Sequence, residues 1–271
     1  MYIGIDIGGT KTLIASFYEQ GKINASEKIA TPEEPEELVG KINDAVIRLA
    51  GENKVTRIGL AAPGSFKDGL FTNTTTLGWR NIPLTEMIHH KLNIEILAQN
   101  DAVLGGLSEA RIGNGKNCTN LLYITISTGV GTGIITNGTV TKSTPNSEGG
   151  LMLVGKSNKP HTVQDSISGR AFRSRFGAQG YEIDDPEIWD KYASDLALAL
   201  FDMSALIEPD KIVIGGGMSL HFAKFEESLH RHLARIDNPQ IHMPQIVQAK
   251  FPELAVIHGC AILAIEGFNN E

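Results

Sequence analysis

Apolar and polar positions along this chain follow one plan, which is used twice. Tyr2–Ile7 alternates as a strand, Thr12–Tyr18 reads as its partner, and Lys22–Ala30 reads as a third strand after the Gln20-Gly21 turn. Thr31-Pro32-Glu33-Glu34 then marks the start of a helix in which Leu38, Ile42, Ala45, Val46 and Leu49 recur at helical spacing. Arg57–Ala61 and Ile94–Ala98 read as buried strands, the second leading into a helix that opens at Asn100-Asp101. The second half repeats this with Leu121–Ser127, Gly133–Thr136, the hairpin signal Asn137-Gly138 and Thr139–Thr141. A long helix over Ile188–Ile207, a strand Ile212–Ile214 and a terminal helix from about Leu254 to Glu266 complete it. Strands followed by βαβ units, occurring twice, predict an α/β fold made by duplication, with a cleft between the halves. The predicted division is residues 1–113 with the terminal helix of about 254–271, and residues 114–253.

Each half contains a Gly/Thr turn between two apolar strands. The first is Asp6-Ile7-Gly8-Gly9-Thr10-Lys11, and the second is Ser127-Thr128-Gly129-Val130-Gly131-Thr132-Gly133. Two facing turns with backbone N–H groups uncovered by glycine, and flanked by Thr hydroxyls, can hold opposite ends of a polyphosphate. The pattern therefore points to a nucleotide between the halves. Asp6 lies between Ile5 and Ile7 in an otherwise apolar strand, a costly place for a carboxylate unless a cation compensates it. Asn100-Asp101 has two readings: an N-cap with a first-turn acid complementing the helix dipole, or a pair of catalytic residues. Gly215-Gly216-Gly217 ends a strand, where open α/β sheets bind ligands and a bare backbone can lie against adenine or ribose.

Composition narrows the class of partner. A net charge of −7 without a Lys/Arg run argues against nucleic acid and anionic membrane, and no apolar run reaches the ~18 residues needed to span a bilayer. A small-molecule ligand and a cytoplasmic location are expected. Cys118 and Cys260 are far apart and give neither a disulfide framework nor a metal-spaced cluster, so both read as buried small residues.

Taken together and in order, Asp6 to Lys11, Asn100-Asp101-Ala102, Gly129 to Gly133, Glu148-Gly149-Gly150, Ser168-Gly169-Arg170-Ala171 and Gly215-Gly216-Gly217 resemble the ROK sugar kinases and repressors over essentially the whole chain. The resemblance implies the actin/hexokinase-like fold, two ribonuclease H-like domains closing over ATP and a sugar. It implies that Asp6 faces the Mg²⁺ of MgATP, through water, while Gly8, Gly9, Thr10, Thr128, Gly129, Gly131 and Thr132 hold phosphate and Gly215, Gly216 and Gly217 hold adenosine. Lys11 either touches phosphate or faces solvent. Asp101 becomes the base that takes the proton of the attacking sugar hydroxyl, and Gly64, Asn100, Asp101, Glu148 and Gln164 become the sugar contacts. A weak base is sufficient, because in a loose phosphoryl-transfer transition state the hydroxyl loses its proton late.

One motif is a decoy. Gly150–Ser157 fits G-x-x-x-x-G-K-[ST], but its inner residues read as an apolar strand and Asn158-Lys159-Pro160 opposes a helix after Ser157. The same region departs from the family. ROK proteins commonly show Glu-x-Gly-His, whose His also ligates a structural zinc, followed by three cysteines and a second sugar-binding Glu. Here Leu151 replaces the His, Gln164 replaces the second Glu, and the connecting segment is shorter and contains no cysteine, so no zinc site is expected. His161 is a lone histidine in this segment. Thr76 stands about where many members have Asn, and Trp79 either walls the cleft or fills core.

The expected function is an ATP- and Mg²⁺-dependent hexokinase-like kinase, glucokinase or N-acetylmannosamine kinase-like, acting on the 6-hydroxyl of an aldohexose such as glucose or of an N-acylated hexosamine. A repressor of this family would carry a DNA-binding domain ahead of the first phosphate loop, which here begins at residue 6. A non-catalytic sugar or nucleotide sensor is disfavoured by retention of Asp6, Asp101 and Glu148. Relatives are commonly oligomers, so a homodimer is expected.

Overall fold

The computed structural model describes residues 1–19, 21–67, 70–73, 77–141, 144–154, 160–236 and 238–268. The chain divides into two units, one formed by Met1–Ser108, Lys142–Asn146 and Leu254–Glu271, the other by Glu109–Thr141 and Ser147–Glu253. The first contains β1 (Tyr2–Ile7), β2 (Lys11–Phe17), β3 (Ile23–Ala30), α1 (Pro35–Ala50), β4 (Arg57–Ala62), β5 (Ser65–Lys67), β6 (Leu70–Asn73), β7 (Arg80–Ile82), α2 (Leu84–Leu92) and β8 (Glu95–Asn100). Helix α3 (Asp101–Ile112) follows β8 without a loop. The second contains β9 (Asn120–Ile126), β10 (Val130–Thr136), β11 (Thr139–Val140), β12 (Leu153–Val154), β13 (His161–Thr162), α4 (Val163–Ile167), α5 (Gly169–Phe176), α6 (Pro186–Ile207), β14 (Lys211–Gly215), α7 (Phe222–Arg235) and β15 (Gln245–Gln248). Helix α8 (Ala255–Glu266) returns to the first unit.

The two main sheets share one topology. Their orders are β3-β2-β1-β4-β8 and β11-β10-β9-β14-β15. In each, an antiparallel meander of three strands is extended by two parallel strands. Parallel strands need crossovers, and these place helices on the sheet faces. In the first unit Ile3, Ile5 and Ile7 pack with Leu38 and Ile42 of α1. The opposite face takes α8 at very short range, because Gly4 and Gly59 carry no side chain there. A Cβ on Gly59 would lie 2.0 Å from the carbonyl oxygen of Cys260, and one on Gly259 2.0 Å from that of Leu104. In the second unit Phe172, Trp189, Tyr192 and Phe225 form a buried aromatic cluster beneath the sheet.

Local signals explain most element ends. Asn137 and Gly138 adopt consecutive positive φ values of 53° and 69°, the twist that a two-residue hairpin requires. Helix α6 starts at Pro186 with the Asp185 carboxylate accepting the Glu187 N–H at 2.9 Å, and α4 starts with a Thr162/Asp165 capping box.

Four expectations are corrected. Helix α1 begins at Pro35, not at Thr31: proline suits the first helical position, and Thr31 is engaged elsewhere. The small sheet β5-β6-β7 and helix α2 have no counterpart in the predicted pattern, and strands of three or four residues carry too little alternation to register. Leu151–Val154 is not one strand, because Gly149–Leu151 forms a 3₁₀ turn and only Leu153–Val154 pairs, with His161–Thr162. Cys118 is half-buried, its thiol donating to the carbonyl of Gly115, whereas Cys260 is fully buried. The remainder of the P-loop decoy and Thr76 lie outside the described residues. No helix among those described is long and apolar enough to cross a membrane.

The seating of α8 yields a paired stability prediction. Gly59→Ala must displace the α8 backbone and should cost about 1–3 kcal/mol. Gly40→Ala, inside α1 with nothing within 4 Å of the new methyl, should be neutral or stabilising by up to about 1 kcal/mol. Urea unfolding midpoints measure both, and equal midpoints for the two variants would contradict the close approach.

Candidate functional site

In the first unit the turn between β1 and β2 is closed by the Gly8 N–H donating to the Lys11 carbonyl at 3.0 Å. A Cβ on Gly8 would lie 2.9 Å from that oxygen, so the turn requires glycine at this position. Thr31, the residue after β3, braces it: its hydroxyl donates to the Gly8 carbonyl at 2.8 Å and its N–H to the Thr10 carbonyl at 3.1 Å. The hydroxyl of Thr12 lies 2.9 Å from that of Thr31. Gly9, Thr10 and Lys11 are left exposed. Sequence reasoning missed Thr31 because Thr-Pro before acidic residues also reads as a helix start.

Asp6 sits one residue before this turn's strand end, partly buried, in register with Leu13 and Ala61. Its carboxyl is pushed up to about 7, first by burial and then by the negative charge of Asp101. Burial likewise raises the carboxyl of Asp101, opposed by the Ala102 N–H, which donates to Oδ1 at 2.8 Å. Asp6 and Asp101 thus both lie in the first unit, and the negative charge of Asp101 is felt at Asp6.

Asn100 fixes the β8–α3 junction. Its Oδ1 accepts the N–H groups of Ala102 at 2.9 Å and Val103 at 3.2 Å, and its Nδ2 donates to the Gly64 carbonyl at 3.0 Å. Gly64 has φ 108°, accessible to glycine only. Gly64, Asn100 and Asp101 are thus brought together, with the amide oxygen of Asn100 already engaged as a cap.

In the second unit the β9–β10 turn is closed by the Ser127 N–H donating to the Gly129 carbonyl at 2.9 Å. The Ser127 carbonyl accepts the Gly169 N–H at 2.7 Å, so the start of α5 is docked on this turn. Ser168 caps α5, accepting the Ala171 N–H at 3.1 Å. Thr128 is exposed, and a Cβ on Gly129 would come within 3.2 Å of the Gln164 amide oxygen, which places Gln164 beside the second Gly/Thr turn. Gly131 is half-buried in β10, opposite Thr125.

Thr132 has a different role from the one expected. It is only 2% exposed, and its hydroxyl donates to the Ser147 carbonyl at 3.0 Å and accepts the Gly149 N–H at 2.9 Å. It therefore secures the segment carrying Glu148, whose side chain is exposed, instead of presenting a hydroxyl to a ligand. Gly150 lies so close to β10 that a Cβ would meet the Val130 carbonyl at 2.1 Å. Leu151 and His161 are exposed. Trp79 is core: it is buried, stacks edge-on to Phe71 and donates from Nε1 to the Glu33 carbonyl at 2.7 Å.

At the third glycine motif, Gly216 has φ 76°, and a Cβ there would meet the Ile126 carbonyl at 2.5 Å. Gly217 is exposed with nothing within 4 Å of a Cβ position. Among the described residues no group of three or more His, Cys, Asp or Glu side chains is arranged to hold a metal ion.

Comparison with known proteins places these features in context. The ROK family pattern matches residues 2–267. A fructokinase of Lactococcus lactis subsp. cremoris is 30% identical over 237 residues, covering 80% of this chain and 79% of that one. An N-acetyl-D-glucosamine kinase of Haemophilus influenzae is 28% identical, with 97% and 99% covered. The crystal structure of a ROK family glucokinase from Streptomyces griseus, in complex with glucose and AMPPNP, superposes with a TM-score of 0.85 at 24% identity over 98% of this chain and 99% of that chain. The fold is therefore the actin/hexokinase-like one of those enzymes. From its first strand to its last helix, the chain belongs to the ROK family.

Proposed function

We propose that this ROK sugar kinase transfers the γ-phosphoryl group of MgATP to a hydroxyl, the 6-hydroxyl, of a hexose such as glucose or of an N-acylated hexosamine. The observation that carries the reading is the Asp6/Asp101 pair: the two carboxyls are close enough for the charge of one to raise the other, at the ends of strands that lead into a glycine turn and a capped helix. When bound, MgATP supplies the electrophilic phosphoryl group and neutralises the charge that develops on it.

The residues have separable tasks. Asp101 is the base. Its carboxyl is oriented by the Ala102 N–H, which donates to Oδ1, and its raised basicity suits taking the proton of the acceptor hydroxyl. Asp6 is the carboxylate toward the magnesium ion. The exposed Gly9-Thr10-Lys11 segment and the Thr128-Gly129 segment provide N–H and hydroxyl donors for phosphate, while the Gly215–Gly217 turn, where Gly215 and Gly216 are buried and Gly217 is open, provides the bare backbone for adenosine. Asn100 acts mainly by fixing the base: its oxygen is engaged by α3 and its amide nitrogen by Gly64, which leaves one amide proton for a sugar oxygen. Glu148 accepts from sugar hydroxyls. Gln164, which can both donate and accept, stands where a carboxylate would only accept and would repel phosphate.

A coupled assay with ATP, Mg²⁺ and a panel of glucose, fructose, mannose, N-acetylglucosamine and N-acetylmannosamine tests the reading, with turnover of at least one sugar expected. Nucleotide binding without turnover of any sugar would reject it. In Asp101→Asn, kcat should fall by about 10²–10⁴ while sugar affinity changes little, since the lost group acts on a proton in the transition state. Asp6 has a pH signature. Its carboxyl stands at 3.8 when unperturbed and about 7 in the fold, so protonation favours the folded state. Its contribution to stability is fully present below the lower value and is lost as pH rises through the upper. Without Mg²⁺ or nucleotide, Asp6→Asn should gain stability over the parent from about pH 4 to 7 and level off above. A pH-independent difference in urea midpoint would contradict the assignment.

A further inference from the structure

Glu109 is a carboxylate with no solvent exposure, two turns beyond Asp101 on the same helix, and no step of the proposed chemistry uses it. Among the described residues its hydrogen-bond partners are backbone N–H groups. Oε2 accepts the N–H of Asn114 at 2.9 Å and of Lys250 at 3.1 Å, and Oε1 accepts the N–H of Phe251 at 3.0 Å. Its own carbonyl accepts from Gly113 and Gly115, which turns the chain back at the end of α3. Gly113 must be glycine, because a Cβ there would lie 2.1 Å from Oε2.

What Glu109 grips is the segment that holds the third glycine motif. Ala249 donates its N–H to the Ile214 carbonyl at 2.8 Å, the Gln248 amide donates to the Ser219 carbonyl at 2.7 Å, and the Pro252 carbonyl accepts the Gly216 N–H at 3.2 Å. Thus residues 248–252 touch Gly215–Gly217 before, within and after the turn, and the carboxylate fixes the middle of that segment. A carboxylate suits this place because both oxygens accept. An amide would set an N–H₂ against one of the three partly buried N–H donors and leave it unsatisfied.

We infer that Glu109 is a positioning residue for the Gly215–Gly217 turn, and so for the adenosine end of the nucleotide. The inference rests on the reading of that turn as the adenosine site. It predicts an asymmetric effect, in which loss of the carboxylate weakens nucleotide binding more than sugar binding or chemistry.

The test compares the full-length parent, Glu109→Gln and Glu109→Asp by steady-state kinetics with ATP and sugar varied in turn, and by backbone amide exchange over residues 211–221. In Glu109→Gln, KM for ATP should rise about tenfold, the scale of one unsatisfied donor facing a buried side chain, with much smaller changes in KM for sugar and in kcat. Exchange in the glycine turn should quicken, and Glu109→Asp, which keeps both acceptor oxygens, should recover part of both effects. Equal losses in every kinetic constant, or unchanged exchange in 211–221, would overturn the inference. If Glu109→Gln does not fold, Gln248→Ala reports on the same link from its other end: a rise in KM for ATP alone supports it, and no change overturns it. If the parent turns over no sugar, the kinase reading falls, and the exchange measurement alone still decides whether Glu109 sets the turn.

Discussion

The first unit depends on keeping two carboxylates, Asp6 and Asp101, partly out of water and near each other. Neither condition favours ionisation, and the Asp6 carboxyl is pushed up to about 7, first by burial and then by the charge of Asp101. A flexible chain would relieve it by moving the groups apart. Here it cannot, because Asp6 is locked in β1 between two paired strands and Asp101 is the first residue of a helix whose start is capped by Asn100. The remaining routes to relief are a proton or a cation. On the proposed reading, such a site would take up a divalent ion or a proton without containing a ready ion pair.

Close backbone approach is the second recurring device. Gly59 and Gly259 let α8 lie directly on the sheet and on α3, Gly150 lets the Glu148 segment lie on β10, and Gly216 lets its turn lie on β9. In each case the atom a Cβ would meet is a carbonyl oxygen. Backbone carbonyls do not rotate aside as side chains do, so these contacts determine where whole segments sit. Polar braces then finish the positioning: Thr31 on the first turn, Thr132 on the Glu148 segment, and Glu109 on the strand-to-turn segment after β15.

Legibility in the sequence followed the strength of local patterns. Ile3, Ile5 and Ile7 alternating around Gly4 and Asp6 left little doubt about β1, and Asn137-Gly138 specified a hairpin because few other residues tolerate two consecutive positive φ values. The three-residue strands β5 and β7 were invisible, since one or two alternations do not exceed chance. Thr31 and Thr132 illustrate the limit for side chains. Thr132 stands between two glycines in sequence whereas Thr31 meets the first glycine turn only in space, and nothing local tells a hydroxyl that faces a ligand from one that braces the backbone.

The sequence by itself determined the duplicated α/β plan, the three glycine turns and the chemical inventory of carboxylates, amides and hydroxyls around them. These follow from periodicity and from residue types whose backbone preferences are local. Only the tertiary structure decided which of those groups face outward and which are engaged: that Asn100 caps α3 with its oxygen, that Thr132 turns inward, that Gln164 stands beside Gly129, and that Glu109 reaches Lys250 and Phe251. The reason is that hydrogen-bond partners far apart in sequence are chosen by how the strands and helices pack, and no local pattern carries that information.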